Sequence, residues 1–269
     1  MLIDVDEHPV AWREAGTGDV VLFLHGLGHS RIAWDRQLEG LSDRWRCVAW
    51  DLPGFGASEP LETLTFPAIA NAAVALLDRL GVDSAHLVGL SFGGQHALHV
   101  ALEHPDRVRS LVLADTSPAF GLDGTTREEW IDQRLEPLRA GLTPADIAES
   151  VMVGISGPGF SGPDFDLAVA AMKRLTSRAY EDAVRCLPDH DVRDVLATIH
   201  VPALVVVGEL DPSTPPAVAR LLADGIPNAN LVELPGIGHL TPNEAPQEFN
   251  RLVREFLDAQ EPTTEGASP

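Results

Sequence analysis

The sequence predicts an α/β architecture: a mainly parallel sheet of eight strands flanked by helices, with a helical segment inserted after the sixth strand. Three observations carry this. Short continuous apolar runs recur along the chain, the pattern of strands buried on both faces of a sheet. Segments with apolar residues at helical spacing alternate with them, which makes the sheet mainly parallel. The alternation stops once, for about 85 residues between Asp115 and Ala203, too long for a loop in a compact domain.

In chain order, LIDV and VAWRE read as a short antiparallel pair around His8-Pro9. VVLFLH (Val20 to His25), RCVAWD, AHLVGL, RSLVLAD and ALVVVGE are the buried-strand runs, and NLVELP closes the series. Helical spacing covers 66–80, 92–103, 216–226 and 246–258. In the long interruption, TREEWIDQRLEPLRAGL and PADIAESVMVG have helical spacing, whereas ISGPGFSGPDF reads as a loop. The predicted division is a core of 1–118 and 193–260, a helical cap of 119–192, and a disordered polar tail of 261–269.

The chain has 269 residues, enough for one large core. With 45% hydrophobic and 22% charged residues, the composition is that of a soluble globular protein. A formal net charge of −21 repels polyanions, which argues against binding nucleic acid or an anionic membrane. Cys47 and Cys186 have neither metal-site spacing nor the numbers of a disulfide framework. A reducing, cytoplasmic setting is expected, since MLIDVDEHPV has no signal-peptide pattern and no apolar run is long enough to span a bilayer.

The stretch HLVGLSFGGQHAL sets Ser91 between Gly89 and Gly93, where a strand-like run meets a helix-like one. A sharp strand-to-helix turn crowds its neighbours, so glycine is required there, and it lifts the serine hydroxyl above the sheet. The helix start supplies backbone N–H groups to an oxyanion. A nucleophilic serine needs a base and an orienting acid, and in an open parallel sheet both emerge from later strand ends. Asp211 follows ALVVVGE and His239 follows NLVELP, so the order is Ser, Asp, His. Asp115, at the preceding strand end, is the competing acid.

Two backbone N–H groups, of Leu27 and Phe92, are the expected oxyanion donors, with Gly26 and Gly28 permitting close approach. His25 is expected to brace this loop, and Asp51 to hold a neighbouring one. His96 and His99, three apart on a helix, lack a third metal ligand and are read as packing or surface residues, so no metal is expected. His104 reads as helix-end chemistry.

With these landmarks in order, the chain resembles the α/β-hydrolase superfamily: HGLG, DLPGFGAS, GLSFGG, GELDPSTP and GIGH span essentially its full length. The resemblance implies Ser91 as nucleophile, His239 as general base, Asp211 as orienting acid, Leu27 and Phe92 as oxyanion donors, and no cofactor. GLGHSRIAWDRQL, ADTSPAFG with Trp130 and Arg134, DPSTPP and HLTPNEAPQEFN resemble 3-oxoadipate enol-lactonases and related small-ester hydrolases. The regular His25-Gly26 start of the oxyanion loop departs from that subfamily.

The resulting expectation is a serine hydrolase of a small carboxylic ester or lactone. Gly26, Trp130 and Arg134 are its candidate substrate-binding residues. Trp130, Met152, Phe160, Phe165 and Met172 are candidates for an apolar pocket, with cap packing as the alternative. A carboxylate on the substrate would call for an arginine; Arg134 is the candidate, and Arg31 is read as a solvated surface residue. Rival readings are hydrolysis of a carbon–carbon bond or small amide on the same triad, and a ligand-sensing homologue. Serine at the elbow disfavours haloalkane dehalogenation, which needs a carboxylate nucleophile. A homodimer is compatible with the sequence, which leaves the oligomeric state open.

Overall fold

A computed structural model describes residues 1–6 and 9–260. The tail expected to be disordered, 261–269, lies outside the described residues, as does His8 of the first turn. Eight strands form one sheet in the order β1-β2-β4-β3-β5-β6-β7-β8. These are β1 (Ile3–Val5), β2 (Trp12–Ala15), β3 (Val20–Leu24), β4 (Arg46–Trp50), β5 (Ala85–Leu90), β6 (Val108–Ala114), β7 (Ala203–Gly208) and β8 (Ala229–Leu234). The pairings β1–β2 and β2–β4 are antiparallel and the rest are parallel. This is the α/β-hydrolase fold.

The apolar runs behave as their composition dictates. Strands β3, β5 and β7 are buried at every position. NLVELP is the exception: β8 pairs only with β7, and Leu234 is its one buried residue. It is an edge strand, which the run of apolar letters does not reveal.

The flanking helices are α1 (Asp35–Leu41), α2 (Phe66–Leu80), α3 (Phe92–Glu103), α8 (Pro216–Gly225), α9 (Thr241–Glu244) and α10 (Pro246–Asp258). Helix α2 has both ends written into its sequence. The Thr65 hydroxyl accepts the Ala68 N–H at 3.3 Å, and Gly81 at φ 73° stops the helix in a left-handed turn. Between β6 and β7 lie four more helices: α4 (Arg127–Arg139), α5 (Pro144–Ile155), α6 (Pro163–Lys173) and α7 (Ser177–Cys186). A single bridge, Ala119 to Asp191, closes the base of this segment. The loop read over ISGPGFSGPDF ends early, because Pro163 already opens α6.

Arg31 is not the solvated surface residue expected. It is 3% exposed and pairs with Asp6 at 2.6 Å and Asp4 at 3.4 Å. Its Nη1 also donates to the Trp12 carbonyl at 3.2 Å. It ties the amino-terminal strand to the core, a role set by acids far from it in sequence. Among the described residues no helix is long and apolar enough to cross a membrane.

Candidate active site

The strand order turns about β3, and the carboxyl ends of β3, β5, β6, β7 and β8 meet at one edge. Ser91 sits between β5 and α3 with φ 54°, a left-handed conformation rare for a residue with a side chain. Such strain costs on the order of 1–3 kcal/mol and persists only where the surroundings over-determine it. Here they do. The Ser91 N–H donates to Ala114 O at 2.8 Å, and its carbonyl accepts from Gly94 N, Gln95 N and the Thr116 hydroxyl.

The flanking glycines are needed for contact. A Cβ on Gly89 would meet the Gly93 carbonyl, and one on Gly93 would strike the Leu24 carbonyl. Gly94 is required as well, against the Thr116 side chain, a demand that the motif alone does not disclose. Gly26 lies close to the serine, with a Cβ there 3.4 Å from Ser91 Cβ. Gly28 instead faces Met152 and Met172, so it makes room for the inserted helices and not for the serine.

His239 and Asp211 meet Ser91 from two later strand ends. His239 Nε2 lies 2.9 Å from Ser91 Oγ, and Nδ1 lies 2.8 Å from Asp211 Oδ2. Asp211 also accepts from Ser213 N at 2.7 Å, Thr214 N at 3.0 Å and the Thr214 hydroxyl at 2.8 Å. The acid therefore keeps its charge: burial raises its pKa, but the His239 charge and these hydrogen bonds outweigh that and lower it. Burial alone would lower the His239 pKa; the Asp211 charge and hydrogen bond raise it above 6.5. Nδ1–H donates to the carboxylate, leaving Nε2 to take a proton from the serine.

Asp115 does not share this contact. Its Oδ1 accepts the Gly208 N–H at 3.0 Å, and its Oδ2 accepts the Thr241 N–H and hydroxyl at 2.9 and 2.7 Å. Burial, with the neighbouring Asp211 charge, pushes its pKa up to about 7. It joins the strand that leads to Asp211 to the loop that follows His239.

The Leu27 and Phe92 N–H groups have no partner among the described residues; Phe92 opens α3, where the first N–H groups lack helical acceptors. His25 braces their loop. Its Nε2 accepts the Leu52 N–H at 3.0 Å, which fixes the proton on Nδ1 for Gly26 O at 2.9 Å. Asp51 accepts from Arg31 N and Ala57 N, holding its loop as expected. His96 is buried against Phe92, and His104 Nε2 lies 3.0 Å from Asn71 Oδ1. No group of three metal-ligating side chains occurs among the described residues.

A cavity of about 480 Å³ opens on Ser91 and His239. Gly26, Leu27, Trp130, Arg134, Met152 and Met172 line it. Phe160 and Phe165 do not; their rings pack edge to face on each other at 5.6 Å, within the inserted segment. The Trp130 Nε1–H donates to Val184 O at 2.9 Å, which fixes its ring as a wall. Arg134 lies over that ring at 4.5 Å and is in no ion pair with a carboxylate among the described residues. Tyr180, which sequence reasoning passed over, lines the same cavity beside Arg134; burial raises its phenol pKa and the arginine opposes this.

Residues 21–252 match the family model described as the alpha/beta hydrolase family. The chain is 28% identical over 241 residues to 3-oxoadipate enol-lactonase 1 of Acinetobacter baylyi, covering 88% of each chain. It is 30% identical over 256 residues to a pimeloyl-(acyl-carrier protein) methyl ester esterase of Aeromonas hydrophila, covering 90% of this chain and 96% of that one. Among solved structures, a thermophilic esterase from Thermogutta terrifontis matches with a TM-score of 0.85 at 26% identity, over 97% of this chain and 100% of that one.

Proposed function

The chain belongs to the alpha/beta hydrolase family, and from that premise we propose that it is a cofactor-free serine hydrolase of a small carboxylic ester or lactone. The observation that carries the reading is the hydrogen-bonded series Ser91 Oγ, His239 and Asp211, at 2.9 and 2.8 Å, facing a cavity of about 480 Å³. Ser91 is the nucleophile, His239 the general base and Asp211 the orienting acid. His239 Nε2 takes the hydroxyl proton as Oγ attacks the carbonyl carbon. The Leu27 and Phe92 N–H groups hold the oxyanion, each worth on the order of 10²–10³ in rate. The alcohol or enolate leaves with the proton from His239, and a water, deprotonated by the same ring, releases the acid.

The four helices of 119–192 act as a cap that restricts the cavity to small substrates. Arg134, over Trp130 and free of a carboxylate partner among the described residues, is suited to a carboxylate on the substrate. Such a group is needed to bring an anion to a chain of net charge −21.

The test is a kinetic panel on the purified protein: short-chain p-nitrophenyl esters, enol-lactones and a vinylogous diketone, each beside Ser91→Ala. Lactone and ester turnover that vanishes in Ser91→Ala, with the thermal midpoint kept, is expected. Retention of even a few per cent of the activity in Ser91→Ala would refute the nucleophile. Turnover of the diketone alone would move the reaction to carbon–carbon cleavage. Binding without turnover would make the chain a sensor.

A further inference from the structure

His239 hangs from a main chain whose N–H groups are held at three consecutive positions. The Gly238 N–H donates to Glu244 Oε2 at 3.0 Å and the Leu240 N–H to Glu244 Oε1 at 3.1 Å. Between them, the His239 N–H donates to the Ile155 carbonyl at 2.9 Å, the last residue of α5. Glu244 Oε2 accepts a further N–H, that of Gly157, at 2.8 Å. One carboxylate on α9 thus clamps the histidine loop to the segment just after α5.

The packing there leaves no slack. A Cβ on Gly157 would sit 2.7 Å from Glu244 Oε2 and 2.9 Å from Gly238 N. A Cβ on Gly238 would in turn strike the Gly157 N and the Ser156 carbonyl carbon. The two loops meet backbone to backbone, and the Glu244 carboxylate neutralises the N–H groups that this contact would otherwise leave buried and unpaired.

We infer that Glu244 is a positioning residue for His239, and that residues 155–157 of the inserted segment are part of the support that aims the imidazole at Ser91. The inference rests on the reading of His239 as general base. Four residues separate His239 from Glu244 in sequence, but the third N–H comes from a segment 87 residues away, so the carboxylate ties the inserted segment to the loop that carries the base. A misplacement of about 1 Å at a reacting group costs up to about 100-fold in rate.

The experiment measures kcat and KM on a short-chain p-nitrophenyl ester, and the rate at which a fluorophosphonate probe labels Ser91. The variants are Glu244→Ala, Glu244→Gln and Gly157→Ala, with thermal midpoints recorded. Gly157→Ala perturbs the clamp from the inserted side while the Glu244 carboxylate itself is kept. The expected result is a fall in kcat and labelling rate of roughly 10- to 100-fold in Glu244→Ala, with KM within about twofold. Glu244→Gln, which keeps one acceptor oxygen, recovers part of this, and Gly157→Ala falls in the same direction. A lowered midpoint with parental kcat and labelling overturns the inference and leaves Glu244 a helix cap. If Glu244→Ala is unfolded at the assay temperature, parental rates in both other variants overturn it equally. A parent that neither turns over ester nor is labelled at Ser91 fails the nucleophile reading, and the positioning role with it.

Discussion

Asp115 and Asp211 follow neighbouring parallel strands, yet only Asp211 makes a hydrogen bond to His239, at 2.8 Å. Asp115 turns its oxygens to backbone and hydroxyl donors at Gly208 and Thr241. A strand end alone does not select the acid; the direction of the chain beyond it does. Asp115, like Ser91, has a positive φ, 46°.

From this relationship Asp211→Asn is expected to lower kcat/KM on the order of 10³–10⁴-fold, because the amide no longer stabilises the imidazolium or fixes its tautomer. Asp115→Asn keeps one acceptor oxygen and is expected to cost stability more than rate. Kinetics of both variants, side by side, check the ranking. The reverse order would move the acid to the earlier strand.

The pH dependence follows from His239. Its pKa is raised above 6.5 by Asp211, against the effect of burial, and the protonated ring cannot accept the serine proton. The acidic limb of kcat/KM is therefore expected above pH 6.5, with activity lost as pH falls through it. The stability linkage has the opposite sense. A raised folded-state pKa contributes stability that is full below the unfolded value and is lost as pH rises through the folded one. Burial pushes the Asp115 pKa up to about 7, so the profile is also recorded in Asp115→Asn. The limb should persist there at slightly lower pH, since the Asp115 charge helps raise His239. A limb that disappears would assign it to Asp115.

Arg134→Gln separates carboxylate recognition from chemistry. For a substrate bearing a carboxylate, KM is expected to rise about tenfold or more, as a charge-assisted hydrogen bond is worth roughly 1.5–3 kcal/mol. For a neutral p-nitrophenyl ester KM should hardly change. Arg134 also lowers the His239 pKa, so the acidic limb should move up with its removal. Equal effects on charged and neutral esters would mean that Arg134 shapes the pocket wall only.

Gly93→Ala tests the elbow as packing. The added Cβ is directed at the Leu24 carbonyl, a backbone atom that cannot step aside without moving β3. A loss of about 1–3 kcal/mol in stability is expected, read from denaturant unfolding. An unchanged midpoint would show that the turn has room that the structure denies.

Local features were legible in the sequence because local spacing dictates them. The apolar runs and the glycines about Ser91 each depend on residues within one turn or strand, and helices 66–80, 92–103 and 246–258 have the bounds expected. The order Ser91, Asp211, His239 at the ends of β5, β7 and β8 was legible as well, since a parallel sheet collects its carboxyl ends on one edge. Tertiary structure decided the rest. Ser91 and His239 are 148 residues apart and Asp211 and His239 are 28 apart, and only the packed sheet makes these pairs neighbours while turning Asp115 away. It also set Tyr180 beside Arg134, withdrew Phe160 and Phe165 from the cavity and buried Arg31 among acids. The physical reason is that residue type and spacing set which backbone a segment prefers, whereas the side chains a buried group meets are set by every other segment packed against it.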